Sequence, residues 1–215
     1  MIGPTFALYL AVSLFIAMTA RELARATVTA RLGDPTPRLW GRITLNPKSW
    51  FEPFGCGLFP ILLLILWAAS AMYLPPPFAY AKPAALDPHY LKRGTRDVVI
   101  ASLAGPAANL ILAVMAGGLI RIATPDSAAF LILLAFLMTN VTLTVFNLMP
   151  IPGLDGARIL GRFLPPHPRE VFVNLDRYLI LFVLAVFFLF ANPMLQIVRD
   201  LGNVICRSAA GFRCL

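Results

Sequence analysis

Long apolar runs, broken by short polar and proline-bearing stretches, dominate the pattern of this chain. A helix needs about 20 mostly apolar residues to cross the hydrocarbon core of a bilayer. Five segments reach roughly that length: Pro4 to Ala30, Gly57 to Leu74, Asp97 to Ala123, Ser127 to Leu148 and Val171 to Ala191. A further stretch, Pro193 to Cys206, mixes polar and apolar positions and predicts a sixth, amphipathic helix at the membrane surface. Between the first two spans, Arg38 to Leu45 alternates polar and apolar residues and is bounded by Gly33, Pro35 and Pro47. That alternation predicts a short edge strand or β hairpin. The fold class is therefore an all-α polytopic membrane protein with about five transmembrane helices and one small β element. No repeat or low-complexity tract divides it, so 1–215 reads as a single domain, with a core over 4–163 and a C-terminal helix and tail over 170–215.

Composition sharpens this picture. Of the 215 residues 59% are hydrophobic and 13% charged, whereas soluble domains run at about 45–50% and about 25%. A soluble enzyme, a disordered tail and a disulfide-stapled mini-protein are excluded. The net charge of +8 comes from 18 Lys and Arg spread through loops and helix ends, with no run of five. Such a spread suits anionic lipid headgroups, so membrane lipids are an expected partner and nucleic acid is not. Orientation does not follow from charge when five spans are assumed. One side then collects Lys82, Lys92, Arg93, Arg96, Arg158, Arg162 and Arg169, and the other Arg31, Arg38, Arg42, Lys48, Arg121, Arg199, Arg207 and Arg213. Seven against eight leaves the positive-inside rule without a preference. Cys56, Cys206 and Cys214 lack metal-type spacing. Cys206 and Cys214 can pair if their end faces an oxidising compartment, but free thiols are the favoured state. The apolar N-terminal stretch lacks a basic region before it, so no cleavable signal peptide is expected.

The first span carries an anomaly, Arg21-Glu22-Leu23-Ala24-Arg25. Each charge near the centre of a membrane helix costs roughly 2.5–3.5 kcal/mol on insertion scales. Arg21 and Arg25 share one helical face, and Glu22 and Arg25, three apart, can also meet. Two readings stand on these residues alone: charges snorkelling at the interface, or a buried polar site. The fourth span ends in Asn147-Leu-Met-Pro-Ile-Pro-Gly-Leu-Asp-Gly156, where Pro150 and Pro152 break the helix and Gly153 and Gly156 permit a reversal. The carboxylate of Asp155 would be carried back toward the bundle. The third span holds Gly105-Pro106-Ala-Ala-Asn109, an interrupted backbone ladder beside a polar side chain. Broken helix is tolerated at membrane depth only against protein or a wet cavity.

Taken in series, these elements resemble the site-2 protease family of intramembrane zinc metalloproteases, in its compact form. The matching pieces are Arg31-Leu-Gly-Asp-Pro-Thr-Pro-Arg38, Gly41-Arg-Ile-Thr-Leu-Asn-Pro47, Ala81-Lys-Pro83, Gly105-Pro106-x-x-Asn109 and the Asn147-to-Gly156 turn. The family's first helix ends in His-Glu-x-x-His, whose two histidines and the distant Asp hold zinc while the Glu acts as general base. Here that motif reads Arg21-Glu22-Leu-Ala-Arg25. Glu22 and Asp155 match the base and the third ligand, but guanidinium has no lone pair for a metal. The two histidines, His89 and His167, lie in proline-flanked loops and read as surface residues.

The resemblance with this departure implies a catalytically inactive family member with no catalytic residue, no metal ligand set and no zinc cofactor. Arg21 and Arg25 bring the two positive charges that zinc would, and Arg–carboxylate pairs are expected to close the site. Gly105, Pro106, Asn109 and Asn147, with the Arg38–Leu45 segment, are expected to form a binding groove. The implied role is an accessory, assembly or regulatory subunit for another integral membrane protein or complex, in a bacterial inner membrane. The alternative is an active intramembrane zinc metalloprotease with an atypical metal site. A transport role has little support, because five spans without a repeat do not resemble a transporter.

Overall fold

A computed structural model describes residues 4–70, 79–82, 86–165, 175–178 and 191–215. The regular elements among the described residues are all helical, and three of these helices are long and apolar enough to cross a membrane. The first, α1 (Pro4–Arg31), runs for 28 residues. Phe6, Leu10, Leu14, Ala17 and Met18 recur at helical spacing and are buried, while Leu8, Val12, Phe15 and Ile16 are exposed on the other side. The stripe of one face thus meets protein and the other is left for lipid.

A short helix α2 (Thr36–Leu39) follows, then α3 (Phe59–Ser70), α4 (Thr95–Ile120) and α5 (Ala128–Asn147). On α4 the buried positions are mostly small: Ala101, Gly105, Ala113, Ala116 and Gly117. In a bilayer, where lipid is as apolar as leucine, small residues let backbones approach and gain dispersion contact. Ser127 caps α5 by accepting from the Phe130 amide at 3.1 Å, and the second half of α5 is buried from Thr139 to Asn147. It is the central helix, packed against α1 and α4. The chain then reverses into α6 (Asp155–Gly161) and resumes in α7 (Ala191–Ala210), which packs against α4 and α5.

Several expectations are corrected. Arg38 to Leu45 contains no strand. Asp34 Oδ1 accepts from the Thr36 amide at 2.8 Å and starts α2, and Pro37 sits in its first turn. Gly41, at φ +62°, ends it with Gly41 N–H to Arg38 O and Arg42 N–H to Pro37 O at 2.8 Å. This is the two-bond stop of a helix C-terminus, and local capping outweighs the period-two pattern.

The second span is helical as far as it is described: Pro53–Leu58 forms a π-helical turn, capped by the Glu52 side chain on the Gly55 amide, and α3 continues it to Ser70. Residues 71–74 of that span lie outside the described residues, as does nearly all of the fifth, from which a 3-10 turn at Leu175–Tyr178 is described. Tyr80 N–H donates to Gly55 O at 3.2 Å and Lys82 N–H to Trp50 O at 3.1 Å. The chain therefore returns to the level from which α3 departed. The sixth stretch is helical as expected, but it joins the bundle as well as facing outward. Cys206 and Cys214 are joined in a disulfide rather than free.

Candidate functional site

The four charged groups singled out from the sequence come together. Arg21, Glu22 and Arg25 are 3%, 6% and 6% exposed and Asp155 is 0% exposed, which decides for a buried site over snorkelling charges. Arg21 Nη2 lies 3.2 Å from Asp155 Oδ2, and Arg25 Nη1 lies 3.0 Å from Asp155 Oδ1. The other amino group of Arg25 donates to Glu22 Oε2. Arg21 Nε stands 3.8 Å from Glu22 Oε1. Two cations and two anions thus close on one another, with formal charge zero and each Asp155 oxygen given to a different arginine. Burial alone would raise the Asp155 carboxyl pKa, but Arg25, Arg21 and Arg158 outweigh it and hold that pKa below the usual carboxylate range.

Backbone chemistry builds this meeting. Helical spacing sets Arg21, Glu22 and Arg25 on adjoining faces of α1. Asp155 opens α6 after a turn in which Gly153 has φ +91°, a region favoured by glycine. Gly156 packs so tightly that a Cβ there would stand 2.1 Å from Leu148 O. Gly105 supplies the floor: a Cβ on it would meet Arg21 Cγ at 3.0 Å and Asp155 Oδ2 at 3.5 Å.

The expected groove residues divide. Gly105 touches the cluster, and the Pro106 carbonyl accepts from Thr144 Oγ1 at 3.5 Å, tying α4 to α5. Asn147 donates to Leu143 O of its own helix at 2.7 Å. Asn109 is fully buried, and its side-chain amide makes no hydrogen bond among the described residues. An apolar cleft of about 600 Å³ runs between the end of α5 and α7, past Val145, Leu148, Pro150, Ile151, Pro193 and Ile197. His89 lies in an exposed 3-10 turn, and His167 is outside the described residues.

Sequence reading missed two neighbours of the cluster, Thr29 and Trp50, which line with Glu22, Arg25 and Arg42 a small cavity of about 10 Å³. Thr29 Oγ1 and Trp50 Nε1 are buried there without a hydrogen-bond partner among the described residues. Only Thr29, one turn beyond Arg25, had a helical-face signal; Trp50 arrives through the fold of the loop.

The donor chemistry does not fit a zinc ion. Zinc is held by thiolate, imidazole or carboxylate, and guanidinium, always protonated, offers donors alone. Among the described residues no three of His, Cys, Asp and Glu gather in a metal-binding group.

Comparison with known proteins gives the family. The model of peptidase family M50 matches residues 114–191. A Bacillus subtilis (strain 168) protein named "Putative zinc metalloprotease YwhC" is 32% identical over 206 residues, covering 89% of this chain and 88% of its own. One from Mycolicibacterium smegmatis, named "Putative zinc metalloprotease Rip2", is 34% identical over 161 residues, 72% of this chain and 57% of its own. Its namesake in Mycobacterium tuberculosis (strain H37Rv) is 29% identical over 174 residues, 80% of this chain and 63% of its own. No solved structure matches. These names overturn the expectation that zinc has no part here: it is the metal by which the relatives are called, and the two arginines mark where this chain's donors depart from it. With its similarity to the Bacillus protein running nearly end to end, the chain belongs to peptidase family M50, the site-2 protease family.

Proposed function

We propose that this chain binds and holds a segment of another integral membrane protein without hydrolysing it, as an accessory or assembly subunit in a bacterial inner membrane. The observation that carries this reading is the double engagement of Arg25, which bridges Glu22 and Asp155. Both Asp155 oxygens and Glu22 Oε2 accept from guanidinium groups, while Glu22 Oε1 makes no hydrogen bond among the described residues; the two carboxylates thus serve as anchors of an ion-pair cluster. The arrangement resists rearrangement, because freeing one charge of a buried pair costs about 3–5 kcal/mol. What the fold keeps is surface: the apolar cleft beside α5 accepts an apolar segment with almost no polar group to satisfy.

The specific observation in favour of a second reading, an active zinc metalloprotease, is the naming of the relatives. One comparison decides between them. Parent and Glu22→Gln proteins, reconstituted in liposomes with a labelled single-pass transmembrane polypeptide, should release product at the same background rate. A parent rate tenfold above that of Glu22→Gln would establish the protease reading and end ours.

A further inference from the structure

The apolar cleft between α5 and α7 carries a charge on its rim. α7 runs antiparallel to α5 along most of its length. Pro193 and Ile197 border the cleft with Leu148 and Met149 from the end of α5. Further along, a Cβ on Gly202 would stand 3.1 Å from Val141 Cγ1. Just past α7, the Phe212 ring stacks on that of Phe130, near the start of α5, with centroids 6.4 Å apart. A helix packed in this way beside α4 and α5 lies at membrane depth, although its own composition is mixed.

Arg121 marks the depth. It follows α4 in a turn with Thr124, Pro125, Asp126 and Ser127, residues that belong at a membrane surface. Its guanidinium donates to Ser208 O and Ala209 O, so that part of α7 lies at the same level. Asp200 precedes Ala209 by nine positions, about 13 Å at 1.5 Å per residue. The middle of a hydrocarbon core lies about 15 Å from either surface. Asp200 therefore stands close to mid-membrane.

Its side chain is exposed and makes no hydrogen bond or ion pair among the described residues. The buried face of α7 is the opposite one, through Val198, Gly202, Cys206 and Ala209. Ile197, Leu201 and Val204, on the side of Asp200, line the cleft. Arg199 does not serve as counter-charge, since adjacent helical positions do not face each other. Arg207 is near enough to the level of Arg121 for its long stem to carry the guanidinium to water. A carboxylate turned to lipid at such depth is costly, and ionisable groups inside membranes are found paired.

We propose that the cleft, with Asp200 on its rim, docks a transmembrane helix of another protein that carries one lysine or arginine near its middle. Apolar side chains of that helix fill the cleft over Ile197, Leu201 and Val204. The aliphatic stem of its basic residue lies along the same surface and brings the cation to Asp200. Unlike charges attract most strongly where water is absent, so each relieves the other of its exposure to lipid. This gives the partner's chemistry for the binding role proposed above, and it rests on that reading.

The test reconstitutes the full chain in liposomes with synthetic single-pass helices of about 20 leucine and alanine residues. Their central residue is lysine, leucine or glutamate, and association is read by energy transfer between labels. The lysine helix should associate about tenfold more tightly than the leucine helix. Asp200→Asn should abolish that preference, and Asp200→Lys should transfer it to the glutamate helix. Both variants should keep the parent's thermal midpoint, because the side chain they change packs against nothing in the bundle. Equal association of the lysine and leucine helices overturns the charge pairing and leaves the binding role standing. A lysine preference that persists in Asp200→Asn does the same. Association of none of the three overturns the proposal too, while the cleavage comparison above judges the binding role separately.

Discussion

Arg25 donates to Asp155 from one amino group and to Glu22 from the other, while Arg21 secures the second oxygen of Asp155. Removing Asp155 would strip Arg21 of its carboxylate hydrogen bond at 3% exposure and leave Arg25 with one partner in place of two. An orphaned buried charge costs about 3–5 kcal/mol, more than a pair returns when intact. Asp155→Ala should therefore lower the thermal midpoint in detergent severely. Asp155→Ala combined with Arg21→Leu and Arg25→Leu should regain much of that loss, because the charges go with their partner. A melt of Asp155→Ala superimposed on the parent would show that the pairs contribute nothing. At this scale the sequence was informative where chemistry is local: the spacing of Arg21, Glu22 and Arg25 sets their shared face, and the Pro-Gly turn announces Asp155. It was silent on Trp50, whose approach to Glu22 depends on a loop with no periodic signal.

Elements were legible in proportion to their length. The long apolar helices α1, α4 and α5 follow from hydropathy within a few residues of their ends. The segment after α1 did not, because alternation over eight residues is weak beside Asp34 and two prolines that start a helix and a glycine that stops it. The turn from α5 to α6 was readable for the same reason in reverse: its glycines have no substitute. Gly156 faces Leu148 O, Leu148 C and Met149 O, all backbone, at 2.1 to 2.5 Å from where a Cβ would stand. Backbone cannot swing aside as a side chain does, so Gly156→Ala must push α6 away from α5 and draw Asp155 off the arginines. The expected result is a loss comparable with Asp155→Ala in the same melt, with little further effect when the two are combined. Full additivity would mean that the turn and the ion pairs are independent.

Across the whole molecule, two devices meet at one end of α7, one closing its tail and one gripping the helix, and they should separate experimentally. The tail after Ala210 folds back, with Cys214 bonded to Cys206 and Asn203 Oδ1 accepting from the Cys214 and Leu215 amides at 3.1 Å. The helix itself is gripped near its end by Arg121 through the Ser208 and Ala209 carbonyls, and by Gly117, whose absent Cβ would stand 2.6 Å from that of Ala209. Closing an eight-residue separation by a disulfide is worth roughly 2–3 kcal/mol of unfolded-chain entropy. Charge-assisted hydrogen bonds at a helix C-terminus add about 1 kcal/mol when partly exposed. Cys206→Ser with Cys214→Ser should accordingly free the tail and leave α7 docked, so that trypsin cuts after Arg213 while Arg207 and Arg199 stay protected. Adding Arg121→Leu removes the second grip, and cleavage should then extend to Arg207 and Arg199, since proteolysis reports local opening. Cleavage at Arg199 in the cysteine variant alone would mean that the tail, folded back by the disulfide, keeps α7 docked, and that Arg121 and the small face of α4 do not suffice.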